Sequence, residues 1–180
     1  MILINLEDTF VATSASEDFK EYTFDSTLTD KSIVSLKVEI SSLGDPLLPN
    51  VYNLAFGPLN ANGAIDDTAK LKHSDTGKVF STIILFAITF LQEYPDTTIG
   101  IDGSNDVRAF LYHRMFIKNY ESIKEYVITI GVDWYVRLLR NGSFELDNNG
   151  LPFFKPKPEP FDLQRSPQDL YRYYMLNLNT

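Results

Sequence analysis

Apolar and polar residues alternate from Val34 to Ile40, with Val34, Leu36, Val38 and Ile40 set against Ser35, Lys37 and Glu39. A period of two is what a half-buried strand requires, because successive side chains leave a strand on opposite faces. Tyr22-Thr23-Phe24 opens the ordered part ahead of this run, and Ser41 to Pro49, carrying Gly44-Asp45-Pro46, breaks it. Val51 to Phe56 reads as the next strand, closed by Gly57-Pro58. Ala64 to Leu71 reads as a weaker third strand, reached through an Asn62-Gly63 turn, and together the three predict an antiparallel meander.

The period then changes. Ser74 or Asp75 offers an N-cap, Lys78 to Tyr94 is apolar on nearly every side, and Pro95 stops it, which predicts a buried helix. Thr97 to Ile101 is a short strand ending in Asp102-Gly103, and Ser104-Asn105-Asp106 starts a second helix running to about Ile123. Tyr126 to Val132 is β-rich and Trp134 to Leu139 is mixed. Gly150 to Pro160 holds Pro152, Pro156, Pro158 and Pro160 and reads as an extended, polyproline-like spacer rather than a PxxP ligand. Leu170 to Leu178 reads as a final strand. Single strands alternating with helices demand a crossover. The expected fold class is therefore α/β (α+β): a mixed, mostly antiparallel sheet with two main helices. It forms a single domain over residues 21–180, after an acidic lead-in at 1–20.

Composition narrows the chemistry. The 180 residues carry 16 Lys+Arg against 24 Asp+Glu, a net charge of −8, and residues 1–30 hold seven of the acids with one base. These acids flank short apolar groups such as Phe10-Val11, so they read as a solvated lead-in and not as a DNA mimic. The overall field argues against nucleic acid. The absence of cysteine excludes disulfides, thiolate metal sites and thiol nucleophiles. His73 and His113 are the only histidines and have no helical or His-x-His spacing, so no metal centre is expected. His113, between Tyr112 and Arg114, reads as a surface or interface residue. The N-terminus has no basic segment, and the longest apolar run, Ile83 to Ile88, is far short of a membrane span, so a soluble, cytoplasmic protein is expected.

The chain resembles an uncharacterised Bacteroidetes family, a domain of unknown function. The resemblance rests on Val51 to Gly57, Asp66-Asp67, Lys78-Val79 with Thr82, Phe90 and Pro95, and then Gly103-Ser104 with Arg108, Leu111, Tyr112 and Arg114. It covers roughly residues 22–131, and it departs at Pro58 and at His73-Ser74-Asp75. At the level of element order the chain is also similar to the GNAT acetyltransferase superfamily. That likeness implies a turn before the first helix that cradles the coenzyme A pyrophosphate, matched here by Asp75-Thr76-Gly77-Lys78. It also implies an Asn…Ala…Leu-Tyr helix pattern, matched by Asn105…Ala109…Leu111-Tyr112. One glycine stands where the superfamily has several.

Two cations sit oddly, because Lys78 and Arg108 each lie in the first turn of a helix, where a positive charge opposes the macrodipole. Asp66, Asp67 or Asp106 could supply a structural anion for Arg108, and a bound phosphate or carboxylate would be the functional alternative. If the two helix starts share one sheet edge, they form a positive pocket for a small anionic ligand such as acetyl-CoA. Gly77, Lys78, Ser104, Asn105 and Arg108 would hold it, with Tyr112 as general acid and Asp66 or Asp67 as base. Asp66 and Asp67 are adjacent, so in a strand they cannot both serve one site. No Gly-x-Ser-x-Gly, Walker lysine or GxGxxG occurs. Tyr171-Arg172-Tyr173-Tyr174 offers a partner surface, or equally one inward tyrosine face. Two function classes follow: a binding or regulatory protein acting through protein contacts, and an acyltransferase.

Overall fold

The computed structural model describes residues 2–66, 68–103 and 105–180. Among these, the elements run β1 (Ala12–Ala15), β2 (Glu21–Thr27), β3 (Ile33–Gly44), β4 (Val51–Pro58), α1 (Thr76–Glu93), β5 (Thr98–Asp102), α2 (Asp106–Ile123), β6 (Val127–Val136), β7 (Phe154–Pro160) and β8 (Tyr173–Leu178). The strands make one mixed sheet in the order β1-β2-β3-β4-β5-β8-β6-β7. Only β4 and β5 are parallel, Val51 to Leu54 pairing with Thr98 to Ile101; all other neighbours are antiparallel. This is the expected α+β class, although the element order matches the acetyltransferase arrangement only loosely.

Both helices cover one face of the sheet. α1 begins where the Asp75 side chain accepts the Lys78 backbone N–H at 2.8 Å, and it ends before Pro95. Its lack of a polar face reflects burial on nearly every side, from Val79 to Leu91. α2 begins at Asn105, whose Oδ1 accepts the Arg108 N–H at 3.0 Å. Phe24, Leu36, Val38, Leu54, Ile99, Ile101, Tyr174 and Leu176 meet the helices in one core. Phe116, fully buried against Phe161 and Tyr174, shows what holds this layer together: truncating it to Ala would cost about 3–5 kcal/mol.

Several expectations need correction. Residues 64–66 and 68–71 belong to no strand; they lie in the long β4–α1 connection, near isolated bridges from Leu59 to Ile65 and from Leu28 to His73. The first 20 residues are more than a solvated lead-in. Ile4 is buried, and β1 pairs with β2 through a bulge. The backbone of residues 2–10 is tied to the helices: Ile4 N–H donates to Asn119 Oδ1, Asn5 N–H to Ser81 Oγ and Phe10 N–H to Thr82 Oγ1. The proline-rich spacer is itself a strand, β7, pairing with β6 from Phe154 to Pro160. His113 is 1% exposed, because its face of α2 turns inward onto Phe161.

The tyrosine-rich end is not an exposed partner surface. Tyr171, Tyr173 and Tyr174 are buried, and glycines on neighbouring strands make room for two of the rings. A Cβ on Gly100 would lie 1.9 Å from the Tyr173 hydroxyl, and one on Gly131 2.4 Å from the Tyr171 ring.

Candidate functional site

Because β4 and β5 are parallel neighbours, the helices that follow them start at the same edge of the sheet, side by side. Phe80 and Tyr112 meet across the two helices with ring centroids 6.3 Å apart. A cleft of about 490 Å³ opens over the start of α1, lined by Leu3, Asn5, Asp8, Asp75, Gly77 and Lys78 among others, with Leu111 from α2. Lys78 therefore faces the expected place, but the chain already supplies its anion. Its Nζ lies 2.7 Å from Asp8 Oδ1 and 5.1 Å over the Phe10 ring. Asp75 occupies the helix N-terminus, and the Leu3 carbonyl lies 3.0 Å from where a Gly77 Cβ would be. Arg108 is half-buried and does not line this cleft.

The other expected site residues are dispersed. Tyr112 is 6% exposed, wedged edge-on between Phe80 and Tyr174. Asp66 sits in the β4–α1 connection, where its carboxylate accepts from the Thr68 N–H at 3.0 Å and hydroxyl at 2.7 Å. The Thr68 hydroxyl above all holds it below the usual carboxylate range. Asp106 pairs with Arg172. Asn105 is an exposed cap. Asp67 and Ser104 lie outside the described residues. Among the described residues, no group of three His, Cys, Asp or Glu could hold a metal ion, and no helix is long and apolar enough to cross a membrane.

The most concentrated charge cluster lies elsewhere, between the helices and the β6–β7 ribbon, on residues the sequence scatters. Arg165, 9% exposed, forks onto Asp133 at 2.6 and 3.2 Å and reaches Glu159 at 3.1 Å. Its guanidinium lies 3.8 Å over the Tyr171 ring, whose hydroxyl donates to Glu159. Burial alone would lower the Arg165 pKa, but Asp133 and Tyr171 outweigh it and hold it above its ordinary value. Every strong donor here has an acceptor within the cluster, so the arrangement anchors the β7–β8 connection. His113 lies close by; neither ring nitrogen makes a good hydrogen bond, and the Arg165 backbone is the polar group it approaches. Burial pushes its pKa down.

The sequence reading also missed a surface. Beyond Val136 and before Phe154 the chain makes a three-rung meander. Leu138 bridges to Phe144 and Leu146 to Pro152, while Glu145 N–H donates to the Arg137 carbonyl and Phe153 N–H to that of Glu145. The two faces of this arm differ in charge, although Tyr135 and Phe153 share the charged side with Lys155. Arg137, Glu145 and Lys155 join in ion pairs on one side. By alternation Trp134, Val136, Leu138, Phe144, Leu146 and Phe154 share the other. Ile128, Ile130 and Val132 with Pro156, Pro158 and Pro160 continue that apolar face down the ribbon, opposite partners sharing a side of the sheet. The signal was present as two period-two runs, but sequence alone does not tell a buried apolar face from an exposed one.

No curated protein and no solved structure matches this chain. A family model does match residues 7–148, from the N-terminal segment through α1, β5, α2 and β6 into the arm. The chain belongs to the DUF6934 family, a family of unknown function.

Proposed function

We propose that the chain is a binding protein that acts through protein–protein contacts, and that its working surface is the apolar face of the β6–β7 arm. The carrying observation is that this face holds Trp134, Leu138, Phe144, Leu146 and Phe154 at 37–64% exposure on one side, while the ion pairs lie on the other. An isolated surface leucine needs no explanation, but a contiguous band of large apolar side chains marks an interaction site.

A second reading, acyl transfer with acetyl-CoA or another anionic cofactor, draws support from the parallel β4–β5 pair and the two helix starts at its edge. In that reading Gly77, Lys78, Ser104, Asn105 and Arg108 bind the cofactor, Tyr112 is the acid and Asp66 or Asp67 the base. Against it stand Asp8 on Lys78, the Leu3 backbone over Gly77, and the burial of Tyr112.

Thermal unfolding with saturating acetyl-CoA, coenzyme A and a nucleotide panel separates the two readings. A ligand at a hundred times its dissociation constant stabilises by about 2.7 kcal/mol, which raises the midpoint by roughly 5–10 °C in a domain of this size. The binding-protein reading expects no shift. A shift with a coenzyme A species, lost in Lys78→Ala, replaces it with the acyltransferase reading.

A further inference from the structure

Resting on the binding-protein reading, we infer that the occupant of the arm's apolar face is a second copy of this chain, packed sheet face on sheet face about a two-fold axis. Three observations select this partner. The first is area. At about 200 Å² per large side chain, the exposed fractions of Ile128, Trp134, Leu138, Phe144, Leu146 and Phe154 leave on the order of 600 Å² in water. The β7 prolines and half-buried Ile130 and Val136 bring the band to about 800 Å², which is what one partner contributes to a standard stable interface. A patch that large exceeds what monomers usually expose.

The second is charge. The chain as a whole carries −8, and two copies should repel, but residues 128–160 hold four acids and four bases and are neutral. A basic partner would be drawn to the acidic N-terminal third, and an anionic lipid surface would be repelled by the molecule. A neutral apolar face that meets its own copy suffers neither mismatch. A face without charges also meets no like-charge repulsion when it is turned onto itself, as an isologous contact turns it.

The third is the mode of contact. β7 is the edge strand, and the usual hazard of an edge is pairing with another strand. Pro156, Pro158 and Pro160 alternate along it, opposite Trp134, Val132 and Ile130, so the N–H groups they lack cannot serve a further strand. Edge addition is blocked while the face stays open, which leaves stacking of the two apolar faces at the usual ~10 Å separation.

The test uses the full chain. Sedimentation equilibrium from about 1 to about 100 µM should show a transition from 20.5 kDa to twice that mass. Trp134, the only tryptophan, lies in the band and reports on it directly. Its emission should move to shorter wavelength, and its quenching by acrylamide should fall several-fold, over the same concentration range. Phe144→Asp and Leu146→Asp should each keep the thermal midpoint that the wild type shows at about 1 µM, where it is monomeric, and remain monomeric at about 100 µM, whereas Lys157→Glu on the opposite face should dimerise like wild type. A monomer throughout, with Trp134 quenching independent of concentration, overturns the proposal; so does a dimer that survives both Asp substitutions. Flotation of the monomer with neutral phosphatidylcholine vesicles would likewise overturn it and assign the face to lipid. These outcomes are separate from the ligand panel: a monomer that ignores every cofactor retains the binding-protein reading with another partner, while a coenzyme A shift removes that reading whatever the mass.

Discussion

Replacing Arg165 by Met should cost about 2–3 kcal/mol, and the structure sets that figure between two limits. Breaking a fully buried ion pair costs about 3–5 kcal/mol, because the remaining charge is stranded, and an exposed pair is worth about 0–1 kcal/mol. Arg165 is 9% exposed, but its partners Asp133 and Glu159 are 34% and 29% exposed and recover part of their hydration when it leaves. Methionine retains the aliphatic stem, so the loss comes from the forked hydrogen bonds and the cation over Tyr171 rather than from packing. Urea unfolding would read the change, and the thermal midpoint should fall by roughly 4–12 °C for a chain of this length. Asp133→Asn in the Arg165→Met background should cost at least about 1 kcal/mol less than in wild type, since the bond it weakens is already gone. A loss below about 0.5 kcal/mol for Arg165→Met, or strict additivity in the cycle, would refute the view that this cluster anchors the β7–β8 connection.

Three further outcomes follow from the same packing. Gly100→Ala drives a methyl group into the Tyr173 hydroxyl, which is held by Asn53 and cannot swing away. It should destabilise by about 3 kcal/mol in urea unfolding, and by much less in a Tyr173→Leu background. His73 and His113 both have pKa values lowered by burial, so the unfolded chain takes up protons first as pH falls. Their contribution is full above the unfolded value near 6.5 and declines below it, by up to about 1.4 kcal/mol per pH unit for each. The thermal midpoint should therefore drop between pH 7.5 and 5.5, and His113→Phe should make that drop shallower; an unchanged slope would contradict the assignment. Asp75→Ala removes the α1 cap and should cost about 1 kcal/mol, whereas Lys78→Ala breaks a pair whose acid is 57% exposed and should cost no more than a few tenths, both read as shifts in the denaturation midpoint.

What could be read in advance divides along physical lines. β3, β4 and α2 were legible because each buries a regular face, which imprints a period, and α1 because a long apolar run between a capping residue and Pro95 marks a buried helix. β1 was not, being four residues with a bulge and a single neighbour. The segment 64–71 misled because Ala64, Ile65 and Leu71 are apolar without being paired along a strand. β7 was hidden by its prolines, which a strand tolerates only where one side faces water. At the site, the two oddly placed cations could be seen, but the anion on Lys78 lies 70 residues away at Asp8. Nothing local announces Arg165, Asp133, Glu159 and Tyr171 as a group, since proximity across strands is a property of the fold. Ser81 and Thr82 were a usable clue: hydroxyls inside an otherwise apolar helix imply backbone to bind, and the N-terminal segment provides it.

The place of β8 governs when this protein can fold. Residues 173–178 are synthesised after every other strand, yet they fill the gap between β5 and β6 and pair along both sides. Until they have left the ribosome, the nascent chain consists of a β1–β5 half with an open flank and a β6–β7 ribbon with another. Each flank exposes unpaired backbone that can recruit a neighbouring polypeptide. Closure therefore waits for β8 and spans long sequence separations, which slows folding. Translation is therefore a stage at which this sheet is open to misassembly, its two parts made and their shared strand still missing.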